Sequence, residues 1–231
     1  MGETASPVIE VFADVWCPFT HVGLHAVDEH RRRTGRADVA IVVRAWPLEL
    51  VNGAPLDPAA ALAHAVELRD QVAPGLFAGI GSGRFPSSTL EPLALAARAY
   101  RTGPRAGERV SFALRDALFE EGLDVSDPAV LEQIAEGAGV AMPDDADRAA
   151  VLDDWAEGRR RGVQGSPHFF CGDVEAFCPS LRITKDPVHG ASIEMDRSRL
   201  TEFLDRCFGP APPGEAPPGE APPGEAPPGE A

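Results

Sequence analysis

The sequence has no Cys-x-x-Cys pair. Its four cysteines, Cys17, Cys171, Cys178 and Cys207, are spread over 231 residues, so no attacking thiol has a resolving thiol one helical turn away. Lys185 is the single lysine. No apolar run approaches the ~18–20 residues that a membrane span needs. Residues 1–7 have neither a basic n-region nor an apolar h-region, so no signal peptide is expected. A cytoplasmic location follows as the expectation, and thiols there are mostly reduced rather than paired. Positive charge is also scarce. The formal net charge is −15, and four of the acidic groups, Glu215, Glu220, Glu225 and Glu230, fall in the last residues of the chain. Such an acidic chain disfavours nucleic acid and anionic membrane as partners, because both are polyanions. Cys171 and Cys178 are not spaced as zinc ligands, and no His-x₃₋₅-His segment follows them, so no metal is expected.

Apolar patterning supplies the positive content. Val8–Ala13 reads as a buried strand, and residues 18–34 as a helix with Pro18 in its first turn, where the missing N–H has no intrahelical partner. Gly35, after three arginines, is a helix stop. Residues 39–46 form a second strand, which makes a βαβ unit with a parallel pair. From about 58 to 161 the spacing is helical throughout: 58–72 after an Asp57 cap, 90–102, 107–121, 130–137 after the cap at 126–128, and 144–161, with a Gly-rich loop over 74–86. Strand signals return at 166–171 and Gly190–Met195, with 172–177 read as a loop, and a last helix runs from the cap at 196–198 to about 208. Residues 209–231 form a separate tail. It is built of Ala-Pro-Pro-Gly-Glu repeats, which lack both a helical period and collagen's period of three, and is expected to be disordered.

The chemistry concentrates at Trp16-Cys17-Pro18-Phe19-Thr20-His21. A cysteine at a helix N-terminus faces unpaired N–H groups and partial positive charge, which lower a thiol pKa from ~8.5 to between ~3.5 and 7.5. Thr20 stands where a resolving cysteine would be. Its hydroxyl can donate to a thiolate but cannot form a disulfide. Trp16 and Phe19 are expected to flank the thiol and exclude water. His21 and His168 are candidates for lowering its pKa further. Cys171 and Cys178 are open to three readings: a hairpin disulfide, a remote resolving thiol for Cys17, or structural thiols.

The element order βαβ–helices–ββα, the segment Phe12 through Gly23 and the segment Gly162-Val-Gln-Gly-Ser-Pro-His-Phe-Phe170 together resemble the DsbA-like branch of the thioredoxin fold. That branch includes thiol–disulfide oxidoreductases, kappa-class glutathione transferases and 2-hydroxychromene-2-carboxylate isomerases. The resemblance covers about residues 8–208 and implies one α/β domain, a thioredoxin-like core with an all-helical insertion. It implies a cis-proline at Pro167, with the Ser166 backbone exposed as a short edge for an extended thiol substrate. It implies catalytic roles for Cys17, Thr20 and Pro167, and substrate contacts from Trp16, Pro18, Phe19, Ser166 and His168. The expected reaction is thiol–disulfide exchange with glutathione or another small thiol as co-substrate and no tightly bound cofactor. The alternatives are a small-thiol-dependent transferase or isomerase, and a redox-inactive binding module that uses the proline-rich tail.

Overall fold

The computed structural model describes residues 8–36, 38–55, 57–81, 84–186 and 190–208. The repeat tail lies outside them. Strand β1 (Val8–Ala13), helix α1 (Pro18–Arg33) and strand β2 (Ala40–Ala45) open the chain, and β1 and β2 pair in parallel with Val8 opposite Ala40. Six helices follow: α2 (Leu48–Asn52), α3 (Pro58–Gln71), α4 (Leu90–Thr102), α5 (Pro104–Phe119), α6 (Pro128–Ala138) and α7 (Asp145–Arg160). Then come β3 (His168–Cys171), β4 (Val174–Phe177), β5 (Leu181–Asp186), β6 (Gly190–Met195) and α8 (Arg197–Phe208). Strands β2-β1-β3-β4 form one sheet in that order, with β3 antiparallel to both of its neighbours, while β5 and β6 form a separate hairpin.

Two sequence expectations are corrected here. Residues 172–177 are not a loop: Gly172, at φ +59°, turns the chain directly from β3 into β4. The strand Gly190–Met195 does not join the central sheet but pairs with β5. The polar Asp173 and Glu175 hid β4, whose residues are half-buried or exposed as an edge strand allows. The short α2 after Pro47 was also not anticipated.

Alternation along β1 sets the layers. Ile9, Val11 and Ala13 face one side with Leu24 and Val27 of α1 and Leu200, Phe203 and Leu204 of α8. Phe12 faces the other, with Phe170, Trp46 and the partly buried Trp155 of α7. Gly158 lets α7 approach closely: a Cβ there would lie 2.6 Å from the Trp46 ring.

The helical segment holds to the sheet through an unusually specific edge. The outward N–H groups of β2 are met by side chains rather than by another strand. Ile41 N–H donates to Glu108 Oε2 at 3.1 Å, Val43 N–H to the Tyr100 hydroxyl at 2.8 Å and Ala45 N–H to Asp154 Oδ2 at 2.9 Å. Tyr100 in turn donates to the Ile41 carbonyl at 3.1 Å. Three helices thus satisfy the groups that an exposed edge would offer to another chain. Arg31 of α1 pairs with Glu108 from below, and Arg44 with Asp154 at 2.6 Å.

Candidate active site

Cys17 is the N-cap of α1, extended at φ −76° and ψ 109°, and Pro18 follows it. No side chain caps the helix, so the first-turn N–H groups are directed at the Cys17 region. The Cys17 carbonyl accepts from Thr20 and His21 N–H at 3.1 and 3.2 Å. The partner segment arrives from 149 residues downstream, where the Ser166–Pro167 peptide bond is cis. Cys17 Sγ donates to the Ser166 carbonyl at 3.0 Å, and the Thr20 and Ser166 hydroxyls are 2.8 Å apart. The Ser166 hydroxyl also accepts from Asp14 N–H at 2.9 Å. Pro167 is braced from behind. Cys178 N–H donates to its carbonyl at 3.0 Å, and Cys178 holds the left-handed φ of +45° to do so.

The ionisation expected of Cys17 is corrected by its surroundings. The residue is 4% exposed, and burial pushes its thiol up from the ordinary value. Hydrogen bonds from Ser166 and Thr20 pull the other way, and the nearby Asp14 adds to the rise. Water removed from around a thiolate outweighs the helix end. The resting group is therefore a thiol, as its donation to a carbonyl requires.

Behind Cys17 lie two buried ionisable side chains that the sequence did not suggest, close enough to influence each other's charge. Asp14 is 0% and Arg115 1% exposed. Asp14 accepts from Trp16 N–H at 3.2 Å and Leu48 N–H at 2.5 Å, and Arg115 donates to the Asp14 carbonyl at 3.1 Å and the Ser111 carbonyl at 2.7 Å. Burial raises the Asp14 carboxyl and lowers the Arg115 guanidinium. Asp14 was within reach as an acidic residue at a strand end three positions before the cysteine. Arg115 had no signal beyond its place on an amphipathic helix.

Several residues expected to touch substrate are buried or turned to other side chains. Trp16 is fully buried beside Phe85, with ring centroids 5.6 Å apart, and so offers no surface to a substrate. Pro18 is buried, and Phe19 packs on the His64 ring at 5.3 Å. His168 is 1% exposed; its Nδ1 accepts from Gln164 N–H at 3.2 Å and its ring lies 4.5 Å from Phe170. His21 turns to Glu120, 2.6 Å away. Burial lowers the pKa of both histidines, and neither is among the groups that chiefly set the Cys17 thiol.

The cysteines separate in the same way. Cys171 is opposite Val174, whereas His168 is opposite Phe177, so Cys178 falls beside Pro167. The two thiols sit four residues apart along the hairpin, about 13 Å at strand rise. That exceeds the ~7 Å limit for a disulfide, and all four cysteines are free. Cys178 lies on the Cys17 side, close enough for the two thiols to interact, and is pushed up to about 12, chiefly by burial. Cys171 instead neighbours Cys207.

A family model described as DSBA-like thioredoxin domain matches residues 8–185. No curated protein matches the sequence. Among solved structures, a probable DsbA oxidoreductase from Streptomyces coelicolor aligns with TM-score 0.57 and 21% identity, over 94% of this chain and 100% of that one. The cytosolic disulfide reductase DsbM from Pseudomonas aeruginosa with GSH aligns with TM-score 0.56 and 14% identity, over 73% and 88%. A 2-hydroxychromene-2-carboxylate isomerase aligns with TM-score 0.56 and 14% identity, over 87% and 94%. At these identities the likenesses establish the fold. Among the described residues, no helix is long and apolar enough to cross a membrane.

Proposed function

Because the chain belongs to the DSBA-like thioredoxin domain family, we propose that it is a thiol–disulfide oxidoreductase in which Cys17 is the single attacking thiol. The observation that carries this reading is the convergence of the Cys17 thiol, the Thr20 hydroxyl and Ser166 of the cis-proline loop within hydrogen-bond distance. Cys17 gives up its proton and its sulfur attacks one sulfur of a disulfide. The S–S bond of that substrate breaks, a mixed disulfide forms on Cys17, and the departing thiolate takes up a proton from solvent. A small thiol of the glutathione class then attacks the substrate sulfur of the mixed disulfide. Cys17 leaves as a thiolate and is reprotonated, and a mixed disulfide between substrate and small thiol is released. Electrons balance, since one disulfide is consumed and one is made.

The Ser166 and Thr20 hydroxyls stabilise the Cys17 thiolate at both its formation and its departure. Thr20 has no sulfur, so the external thiol takes the resolving role, and Cys178, buried and raised to about 12, is a poor competitor. We place the catalysis within a single domain over residues 8–208, working in the cytoplasm, with the repeat tail as an appendage. The test is disulfide reduction with added glutathione, comparing the parent protein with Cys17→Ser. Loss of turnover in the variant, with a glutathione-reversible adduct on Cys17 in the parent, is expected. Unchanged turnover would sink the mechanism.

One observation favours a second reading. The resting Cys17 is a buried donor to the Ser166 carbonyl, which suits a group that positions a bound small thiol for transfer or isomerisation of an electrophile. Glutathione-dependent activity that survives in Cys17→Ser would select it.

A further inference from the structure

One turn beyond Cys17, α1 carries His21 and His25, and facing them α5 carries Asp116, with Glu120 at its C-cap. Both pairs are spaced i, i+4, so each lies on one side of its helix. One ligand atom each from His21, His25 and Asp116 all fall within 4.8 Å of one another. The two imidazole rings meet edge to face, with centroids 4.6 Å apart, and His25 Nε2 is 3.4 Å from Asp116 Oδ1. These two atoms are buried, yet neither has a hydrogen-bond partner. They face each other at ion-pair distance without the alignment a hydrogen bond needs. A buried polar atom left without a partner is costly, and here two such atoms point at the same small space.

From these contacts the geometry points to a binding site for a divalent transition-metal ion of the zinc type, held by His21, His25 and Asp116. Two imidazoles and a carboxylate form a borderline donor set suited to zinc and its first-row neighbours rather than to magnesium or calcium. Ligands at ~2.0 Å in a tetrahedron stand about 3.3 Å apart, and the His25–Asp116 separation already matches. A three-residue set leaves a fourth position open to water or another ligand. The ring of His21 is held by Glu120 at 2.6 Å, and Glu120 is itself fixed by Phe77 and Ala78 N–H at 2.8 and 3.0 Å. That is the orienting part an outer carboxylate plays for a metal-bound histidine. An approach exists: His25 lines a surface cavity of about 290 Å³ between α1, the segment just after α3 and the start of α8, walled also by Val72, Leu76, Met195 and Leu200. The ion would tie α1 to α5 directly beneath the turn that presents Cys17.

The test uses the full-length chain, stripped with chelator and titrated with Zn²⁺ or Co²⁺. One ion per chain is expected, with Co²⁺ d–d absorption and no thiolate-to-cobalt charge-transfer band. His25→Gln and Asp116→Asn alter half-exposed side chains and spare the buried His21. Each is expected to keep the parent circular dichroism and to weaken binding by ~100-fold or more. Saturating Zn²⁺ should raise the Tm of the parent by ~5–10 °C and leave both variants unmoved. A thiolate charge-transfer band, unaltered affinity in both variants, or no saturable binding in the micromolar range would each overturn the site.

Discussion

The Cys17 ionisation lends itself to a quantitative test, because three opposed effects meet on one sulfur. The helix N-terminus supplies at most ~2 kcal/mol to a charged group, about 1.5 pKa units at ~1.36 kcal/mol per unit. Full burial costs a charged side chain up to ~3–5 units. Cys17 is 4% exposed, and the carboxyl of Asp14 adds to the rise. Hydrogen bonds from Ser166 and Thr20 reduce the deficit without closing it, so the thiol of the folded protein should titrate above its ordinary value of 9.0. Thr20→Val keeps the shape and removes one hydroxyl. A hydrogen bond to a charged group contributes ~1.5–3 kcal/mol, so the inflection should move up by about one unit or more. The thiolate fraction at fixed lower pH then falls about tenfold. Intrinsic nucleophilicity rises with pKa at a Brønsted slope of ~0.4–0.5, so the net rate falls only about threefold to fourfold. The assay is the second-order rate of Cys17 with a small aromatic disulfide across pH, with modification at Cys17 read by mass. A wild-type inflection below 9.0 would refute the dominance of burial. A Thr20→Val profile superimposable on the parent would show that the hydroxyl does not act on the thiolate.

Arg115→Met should destabilise the fold by ~2–5 kcal/mol in chemical denaturation, because the buried Asp14 and Ser111 carbonyls lose the guanidinium that donates to both; a loss under ~1 kcal/mol would show that the guanidinium does not hold α5 to the segment after β1. Gly158→Ala should cost ~1–3 kcal/mol, since its Cβ would stand 2.6 Å from Trp46, whereas Gly137→Ala in α6, with nothing within 4 Å, should stabilise by ~0.5–1 kcal/mol; equal Tm shifts from the two would contradict the packing described. Alkaline stability follows from Cys178, raised from 9.0 to about 12 by burial. The folded state holds that proton longer than the unfolded state, so stability is full below pH 9 and falls between about 9 and 12, at up to ~1.4 kcal/mol per pH unit from this group. Cys178→Ala should flatten that part of the urea-midpoint profile, and an unchanged slope would assign the loss to other groups.

Legibility divided along the range of the forces. Helix boundaries were readable because caps and prolines act locally: Asp57-Pro58 and Asp127-Pro128 each place a side-chain acceptor on an N–H two residues on, at 2.9 Å. The β3–β4 turn was misread although Gly172 marked it, since an edge strand with half-exposed residues lacks a strong period. The pairing of His21-x₃-His25 with Asp116-x₃-Glu120 was out of reach, because nothing in either spacing says that α1 faces α5.

The same division runs through the active site. By itself, the sequence determined that Cys17 follows a strand closely and caps a helix, since Pro18 and the apolar run before it act within a few residues. It also supplied, through family resemblance, the Ser166-Pro167 segment that would meet the cysteine. Only the tertiary structure decided the state of the thiol. Desolvation is summed over everything packed around the sulfur, including Asp14 and the Ser166 loop, and no local pattern records that sum. Position was a local property of the chain, whereas protonation was a property of the assembled core.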